Sequence, residues 1–320
     1  MRAMICPGAG LELGLRRLPV LSPGPDEVRV RIRACGMNFA DLLMIRGEYQ
    51  ERADYPFVPG MEIAGEVDAI GPGASGWSRG DRVAVVSGSG GLADFGCFPA
   101  SRLTRIPESM DFATAAGFQV AYGTSHLALE RRARIEPGET LLVTGAAGGV
   151  GLAAVETGRL MGARVIAVAR GKDRLDVARR AGAEVLLDSD RADLRDLIRD
   201  AGGADVAFDP VGGAACAAAL SALRPEGRLL VIGFASGTVP DIRANHLLVK
   251  NVSVLGFWWG GYLKFRPEAV AQSLATLFGW HAEGRLAPHV HHLFPIENAA
   301  EGLDLLRSRQ ATGKIVVTMD

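Results

Sequence analysis

The segment TLLVTGAAGGVGLAAV, residues 140–155, predicts a buried strand, a glycine-rich turn and the start of a helix. A dinucleotide-binding turn bends sharply out of its strand, brings backbone N–H groups to a pyrophosphate and packs the helix closely on the sheet. A glycine-rich turn alone is weak evidence, but a further strand follows this helix. The segment therefore predicts a dinucleotide site. The backbone is expected to contact the pyrophosphate at Ala147, Gly148, Gly149 and Val150.

The residues after the next strand, RVIAVA at 164–169, indicate which dinucleotide is bound. An NAD site usually has an aspartate or glutamate there, which binds the ribose hydroxyls. This sequence has Arg170, Lys172 and Arg174 instead. Arginine can bind a 2′-phosphate through two parallel hydrogen bonds. Alternatively the cations merely solvate a helix N-terminus, but the positive end of a helix disfavours cations. The pattern favours NADPH over NADH.

Patterns of strands and helices divide the chain into two parts. Residues 1–117 contain short runs that alternate apolar and polar residues, separated by turn clusters, which is typical of half-buried strands. Over 118–258, aliphatic strands alternate with helix-length segments, which predicts an α/β fold with a doubly wound parallel (Rossmann) sheet. Residues 259–320 contain two amphipathic helices and a final strand, and we assign them to the β-rich domain formed by 1–117.

Composition narrows the class of protein. The 320 residues carry a net charge of −1, so nothing favours nucleic acid or an anionic membrane as a partner. No segment approaches the ~18 apolar residues of a membrane helix, and the N-terminus lacks a signal-peptide pattern. We expect a soluble, cytoplasmic protein. Its dispersed cysteines are expected to be reduced thiols, at Cys6, Cys35, Cys97 and Cys216.

Several motifs follow one another in a specific order: ACGMNFAD (34–41), PFVPGMEIAGEV (56–67), PGETLLVTGAAGGVG (137–151), GRLLVIGFASG (227–237) and KNVSVLGFWWG (250–260). In this order they resemble the medium-chain dehydrogenase/reductase superfamily, and within it the zinc-free quinone oxidoreductases related to zeta-crystallin. The resemblance implies a GroES-like fold for the β-rich domain. It also implies a homodimer, paired through the last strand of the nucleotide-binding domain.

Departures from the zinc alcohol dehydrogenases bear on the chemistry. Where those enzymes have a ligand cysteine and a ligand histidine, this chain has Asn38 and Met61. Neither an amide nor a thioether is a strong zinc ligand, so we expect no metal here. A second metal possibility is a clip of His289, His291 and His292. No cysteine or carboxylate lies close to it in sequence, and a half-exposed strand is the simpler interpretation.

The resemblance further implies roles for individual residues. Asn38 is expected to face the nicotinamide and the substrate carbonyl, and Tyr49 to donate a hydrogen bond or stack on a quinone. The alternatives are a satisfied turn amide and a structural tyrosine. Asp41 is expected to cap or brace its helix. For the FWWG run, filling of a domain junction is the alternative to a role in the cleft. Further cofactor contacts are implied at Thr124, Gly233, Phe234, Phe257, Trp258 and Lys314.

Without a metal Lewis acid, conjugated acceptors are favoured, because the developing charge spreads over an enolate and hydrogen bonds suffice to stabilise it. The first prediction is a zinc-independent NADPH:quinone oxidoreductase, with a quinone or an enone as substrate. An enoyl reductase acting on 2-alkenals or enoyl-CoA thioesters is the alternative. It is mildly disfavoured because no basic cluster outside the cofactor turn suits a CoA phosphate. The third possibility is a non-catalytic NADPH-binding protein, against which Asn38 and Tyr49 argue.

Overall fold

A computed structural model describes residues 1–319. The strands in this range are β1 (Arg2–Ile5), β2 (Gly14–Arg17), β3 (Glu27–Met37), β4 (Glu62–Ile70), β5 (Arg82–Val86), β6 (Phe95–Pro99), β7 (Leu103–Arg105), β8 (Thr140–Thr144), β9 (Arg164–Ala169), β10 (Val185–Asp188), β11 (Ala204–Asp209), β12 (Leu223–Val231), β13 (Ser253–Gly256), β14 (Val290–Pro295) and β15 (Lys314–Thr318). The α-helices are α1 (Phe39–Arg46), α2 (Phe112–Ala116), α3 (Gln119–Leu127), α4 (Gly149–Leu160), α5 (Gly171–Arg180), α6 (Leu194–Asp200), α7 (Gly213–Ser221), α8 (Ala244–Lys250), α9 (Trp259–Phe265), α10 (Pro267–Ala282) and α11 (Ala299–Arg307).

The chain forms two units. Unit 1 comprises residues 1–120 and the C-terminal residues from 288 onward, and unit 2 comprises residues 121–287. The structure thus places 259–287 with unit 2, and not with the β-rich domain to which we had assigned it. Ser273 in α10 hydrogen-bonds His126 at 2.9 Å, and the N–H of Ala287 donates to Glu156 at 3.0 Å. An amphipathic pattern shows that a helix covers a core, but not which core.

Unit 2 is built on a six-stranded sheet in the order β10-β9-β8-β11-β12-β13. All of its pairs are parallel. Every residue of β8 is buried, as expected for a strand covered by helices on both faces. The strand order reverses between β8 and β11, and ligands bind at such a point, beyond the carboxyl ends of the strands. The predicted doubly wound sheet is confirmed.

Unit 1 contains a mostly antiparallel sheet in the order β14-β15-β3-β4-β5-β7, with β6 also paired to β3, and a small sheet of β1 and β2. Strand β3 alternates as predicted, and Val28, Val30 and Ile32 point into the core. A side chain at Gly36 would overlap the carbonyl oxygen of Ala116, so glycine lets α2 approach this strand. The β-rich organisation of this unit is confirmed.

All four cysteines are free thiols. Cys6, Cys35 and Cys216 are buried, whereas Cys97 is partly exposed. Burial raises the pKa of each thiol. Within residues 1–319, no helix has the length and the apolar character that crossing a membrane requires.

Candidate functional site

The glycine-rich turn lies where the strand order of unit 2 reverses. Gly145 follows β8 with φ +58, a conformation that favours glycine. A side chain at Gly151 would overlap the carbonyl oxygen of Gly145, so that glycine lets α4 pack on the turn. At Gly148 a Cβ would meet only that oxygen, at an ordinary 3.4 Å. The fold therefore demands glycine at two of these positions but leaves open space at Gly148.

Unpaired backbone N–H groups lie at the start of α4, next to Gly148 in the chain. The N–H of Gly148 donates to Gly145 at 2.9 Å, and Ala147 is buried. In the part of the chain described, the N–H groups of Gly149 and Val150 have no partner, as is usual in the first turn of a helix. Together with the helix dipole they can hold a pyrophosphate. Of the four predicted contacts, only Gly148 has a partnered N–H group in the described chain, and Gly149 and Val150 offer free donors in the first turn of α4.

Asp209, which the sequence prediction missed, ties the two central strands together. It ends β11 and is fully buried. Its carboxylate accepts hydrogen bonds from the Thr144 hydroxyl and from the N–H groups of Val211 and Gly212, at 3.2 and 3.0 Å. The sequence signal was an acid followed by proline at the end of an apolar run. We infer that Asp209 fixes the carboxyl ends of β8 and β11 relative to each other, at the point where the glycine-rich turn begins.

The predicted cations lie beyond β9, one strand away from the glycine turn. Arg170 precedes α5, and its backbone oxygen accepts a hydrogen bond from Arg174 at 3.4 Å. Lys172 is exposed and has no ion-pair partner among residues 1–319. Arg170 itself is paired with Asp190, at 3.3 Å. The sequence prediction missed this pair, which arises because Asp188 at the end of β10 stands in register with Ala169.

The remaining candidates of unit 2 differ in exposure. Thr124 is buried in α3, whereas Phe234 is exposed directly after Gly233, beyond the end of β12. Beyond β13, Phe257 is buried and Trp258 is exposed. Strands β12 and β13 are parallel to β8, so four of these residues follow the same carboxyl edge of the sheet as the glycine turn. Their contact with a cofactor stays a prediction.

In unit 1 the polar candidates form a buried network. Asn38 Nδ2 donates to Glu62 Oε2 at 3.0 Å and to the carbonyl oxygen of Gly36 at 3.3 Å. Lys314 Nζ donates to Asn38 Oδ1 at 2.8 Å and to Glu62 Oε2 at 2.9 Å. A third bond joins Lys314 to the carbonyl oxygen of Met37, at 3.0 Å. The amide of Asn38 and the ammonium of Lys314 are thus fully partnered within the unit.

Strand pairing explains this network. Glu62 stands opposite Gly36 in the β3–β4 pair, and Ile315 stands opposite Met37 in the β3–β15 pair. Lys314 is therefore brought to the end of β3, where Asn38 begins the turn into α1. For Asn38 to donate to a substrate, or for Lys314 to contact a cofactor, one of the internal bonds must be exchanged. Both roles stay predictions.

Asp41 braces the start of α1, as predicted. Its Oδ2 accepts a hydrogen bond from the N–H of Asn38 at 2.8 Å. Its Oδ1 is buried without a partner in the described chain. Burial raises the pKa of Asp41 to about 7, against the favourable effects of this hydrogen bond and of Lys314. The helix start thus contains a carboxyl group that titrates near neutral pH.

Tyr49 lies beyond the other end of α1. The helix ends at Arg46 and is capped by Gly47 in the left-handed conformation, at φ 73. Eight residues of α-helix span about 12 Å, so Asn38 and Tyr49 begin from backbone positions well apart. Tyr49 is partly exposed. Its catalytic role stays a prediction.

Comparisons with known proteins match both units. A model of the alcohol dehydrogenase GroES-like domain matches residues 24–108, and a model described as zinc-binding dehydrogenase matches residues 149–277. A quinone oxidoreductase-like protein 2 homolog of Nematostella vectensis is 37% identical over 99% of this chain and 88% of its own length. The chain belongs to the medium-chain dehydrogenase/reductase superfamily, in its zinc-free quinone oxidoreductase branch. The predicted family and the GroES-like fold of unit 1 are confirmed.

Two solved structures agree with this assignment. The quinone oxidoreductase of Thermus thermophilus was solved also in complex with NADPH. Its alignment with this protein covers all of both chains, with a TM-score of 0.89 and 34% identity. A mycobacterial protein complexed with NADPH has a TM-score of 0.93 at 29% identity and covers 99% of both chains. The protein is accordingly an oxidoreductase of this superfamily.

The matched zinc-binding model raises the question of a metal. Within residues 1–319, no three His, Cys, Asp or Glu side chains form a group that could hold one. The His289 and His291 rings stack at 5.1 Å, and the His292 ring meets His291 edge-on at 4.7 Å. Burial lowers the pKa of His292. These contacts suit side chains on a half-exposed strand, where β14 alternates between exposed and partly buried residues.

Proposed function

We propose that the protein is an NADPH-dependent reductase of quinones or other conjugated carbonyl compounds, and that it acts without zinc. The observation that carries the proposal is the turn after β8, where the fold leaves space at Gly148 and leaves the N–H groups of Gly149 and Val150 unpaired. The protein's own packing does not account for a glycine at 148. A ligand phosphate against the backbone does account for it.

The cations at the end of β9 support NADPH as the dinucleotide. Arg170, Lys172 and Arg174 follow the strand next to β8, where the adenosine ribose lies in related folds. A guanidinium suits a phosphate dianion because it offers two parallel donors. The NADPH complexes of the two structural neighbours also support this choice.

The buried network of unit 1 supports a mechanism without zinc. The ammonium of Lys314 neutralises Glu62 and donates to Asn38, which occupies a ligand position of the zinc enzymes. A zinc ion beside this ammonium would be repelled, and in a buried environment that repulsion is strong. Asn38 and Met61 are also weak ligands.

NADPH, when bound, supplies a hydride. The residues of this chain then have two tasks: to orient the cofactor and to orient the acceptor carbonyl. We propose that the turn after β8 does the first and that Asn38, held by Glu62 and Lys314, does the second by exchanging one internal hydrogen bond. Tyr49 is our candidate for a residue that donates a hydrogen bond to the acceptor or stacks on its ring.

A steady-state screen tests the proposal. NADPH oxidation is followed with 1,4-benzoquinone, a 2-alkenal and crotonyl-CoA, with and without a zinc chelator. We expect the quinone to be turned over fastest and the chelator to have no effect. Preference for crotonyl-CoA or the alkenal would show an enoyl reductase instead. NADPH binding without oxidation by any acceptor would show a non-catalytic binding protein, and loss of activity with the chelator would refute the zinc-free mechanism.

We also propose a cytoplasmic homodimer. Strand β13 ends its sheet and pairs only with β12 in the described chain, and such an open edge is commonly covered by a second subunit. Leu248 and Val249 are exposed on the preceding helix α8. Light scattering coupled to gel filtration should give twice the monomer mass. The monomer mass of 33.7 kDa would refute the dimer.

A further inference from the structure

The arginine after β9 forms an ion pair with an acid of the next loop. Arg170 Nε lies 3.3 Å from Asp190 Oδ1, and the two side chains are 60% and 64% exposed. Two more acids lie at this edge: Asp188 Oδ2 accepts a hydrogen bond from the N–H of Gly171 at 3.3 Å, and Asp173 is in the first turn of α5. Carboxylates thus offset the cations that favour NADPH.

We propose that Asp190 determines how strongly the protein discriminates NADPH from NADH, because its carboxylate competes with the 2′-phosphate for Arg170. This inference rests on the proposed NADPH-dependent function. An exposed ion pair is weak and exchangeable. A phosphate with a charge close to −2 displaces the carboxylate and forms two parallel bonds to the guanidinium. NADH carries a hydroxyl at this position, so the pair between Arg170 and Asp190 persists when NADH binds.

The structure distinguishes Asp190 from its neighbour Asp188. Both oxygens of Asp188 accept backbone N–H groups: Oδ2 that of Gly171, and Oδ1 that of Asp190, at 3.1 Å. Asp188 therefore holds the two loops side by side. The carboxylate of Asp190 has Arg170 as its only ion-pair partner among residues 1–319. Of these two acids, Asp190 is the one that a phosphate can displace without breaking the loop.

Binding measurements without turnover test the role of Asp190. The Kd values for NADPH and NADH are determined by isothermal titration calorimetry on the full chain, for the wild type and Asp190→Asn. Asp193→Asn is the matched control, because Asp193 is an exposed acid of the same loop that pairs with Arg191 at 2.7 Å. Asp190→Asn should lower the Kd for NADPH about three- to tenfold and change that for NADH less than about twofold. The control should change neither value.

A double-mutant cycle tests whether Asp190 acts through Arg170. In an Arg170→Ala background, Asp190→Asn should no longer improve NADPH binding. An equal improvement in that background would overturn the competition, because Asp190 would then act by general repulsion. An unchanged NADPH/NADH ratio in Asp190→Asn would overturn the inference and leave the proposed function intact. If the wild type bound neither NADPH nor NADH, that result would refute the proposed function itself.

Discussion

Two ion pairs of this protein have similar lengths and opposite surroundings. Lys314 and Glu62 in unit 1 are 2.9 Å apart, with side chains 8% and 0% exposed. Arg170 and Asp190 in unit 2 are 3.3 Å apart, with side chains 60% and 64% exposed. A buried pair is costly to break because either charge alone is left without solvent, whereas an exposed pair contributes little and can exchange partners. The first therefore suits a fixed scaffold and the second a site that admits a charged ligand.

The largest effect is expected from breaking the buried pair. Lys314→Met leaves the Glu62 carboxylate and Asn38 Oδ1 without their cation, and should lower the free energy of unfolding by about 3–5 kcal/mol. Equilibrium urea denaturation measures the change. Lys172→Met, which removes an exposed cation without an ion-pair partner in the described chain, should change it by less than about 0.5 kcal/mol. Equal losses in the two variants would contradict the comparison.

The contrast between buried and exposed charged groups can also be tested through the pH dependence of stability. In the folded state Asp41 has a pKa of about 7, against an ordinary value of 3.8. Between these values the folded protein holds a proton that the unfolded chain releases, so stability falls as the pH rises through this window. Relative to Asp41→Asn, the wild type should lose about 2–3 kcal/mol between pH 5 and pH 8. Parallel curves would be inconsistent with a buried, protonated Asp41. Asp304→Asn, at an exposed pair with Arg307, serves as the control.

Substitutions at two glycines of one turn should distinguish an effect on stability from an effect on NADPH binding. Gly151→Ala forces a methyl group onto the Gly145 carbonyl oxygen and should cost about 1–3 kcal/mol of stability. Gly148→Ala has room within the protein and should change stability by less than about 0.5 kcal/mol, yet weaken NADPH binding about tenfold. Urea denaturation and calorimetry give the two quantities. If Gly148→Ala binds NADPH normally, the pyrophosphate does not lie at this turn.

At the exposed pair we expect an effect on NADPH binding and none on stability. Arg170→Ala should raise the Kd for NADPH about tenfold and leave that for NADH within about twofold, because only the 2′-phosphate uses the guanidinium. Its stability should match that of the wild type within about 0.5 kcal/mol, since the pair with Asp190 is exposed. An equal loss of affinity for both dinucleotides would mean that Arg170 does not recognise the 2′-phosphate.

The sequence predicts what depends on local pattern. The strand, glycine turn and helix over 140–155 lie where expected, and so do the cations after β9, because each is determined by residues close in the chain. The helix brace of Asp41 was likewise readable, since Asn38 and Asp41 are three residues apart.

What the sequence did not reveal depends on strand pairing. The contact between Lys314 and Glu62 joins residues 252 apart and exists because β15 and β4 flank β3. The pair between Arg170 and Asp190 arises from the register of β9 against β10. The assignment of 259–287 to unit 2 depended on which apolar surface α10 covers. None of these is encoded in a local spacing.

The four cysteine thiols of this protein differ in how readily the proposed acceptors can reach them. Quinones and enones are electrophiles that alkylate cysteine, and the thiolate is the form that reacts. Burial raises the pKa of all four thiols, so they stay protonated near neutral pH. The raised pKa values lower the fraction of thiolate that such an acceptor would alkylate, and Cys97, which is partly exposed whereas the other three thiols are buried, is the most accessible position.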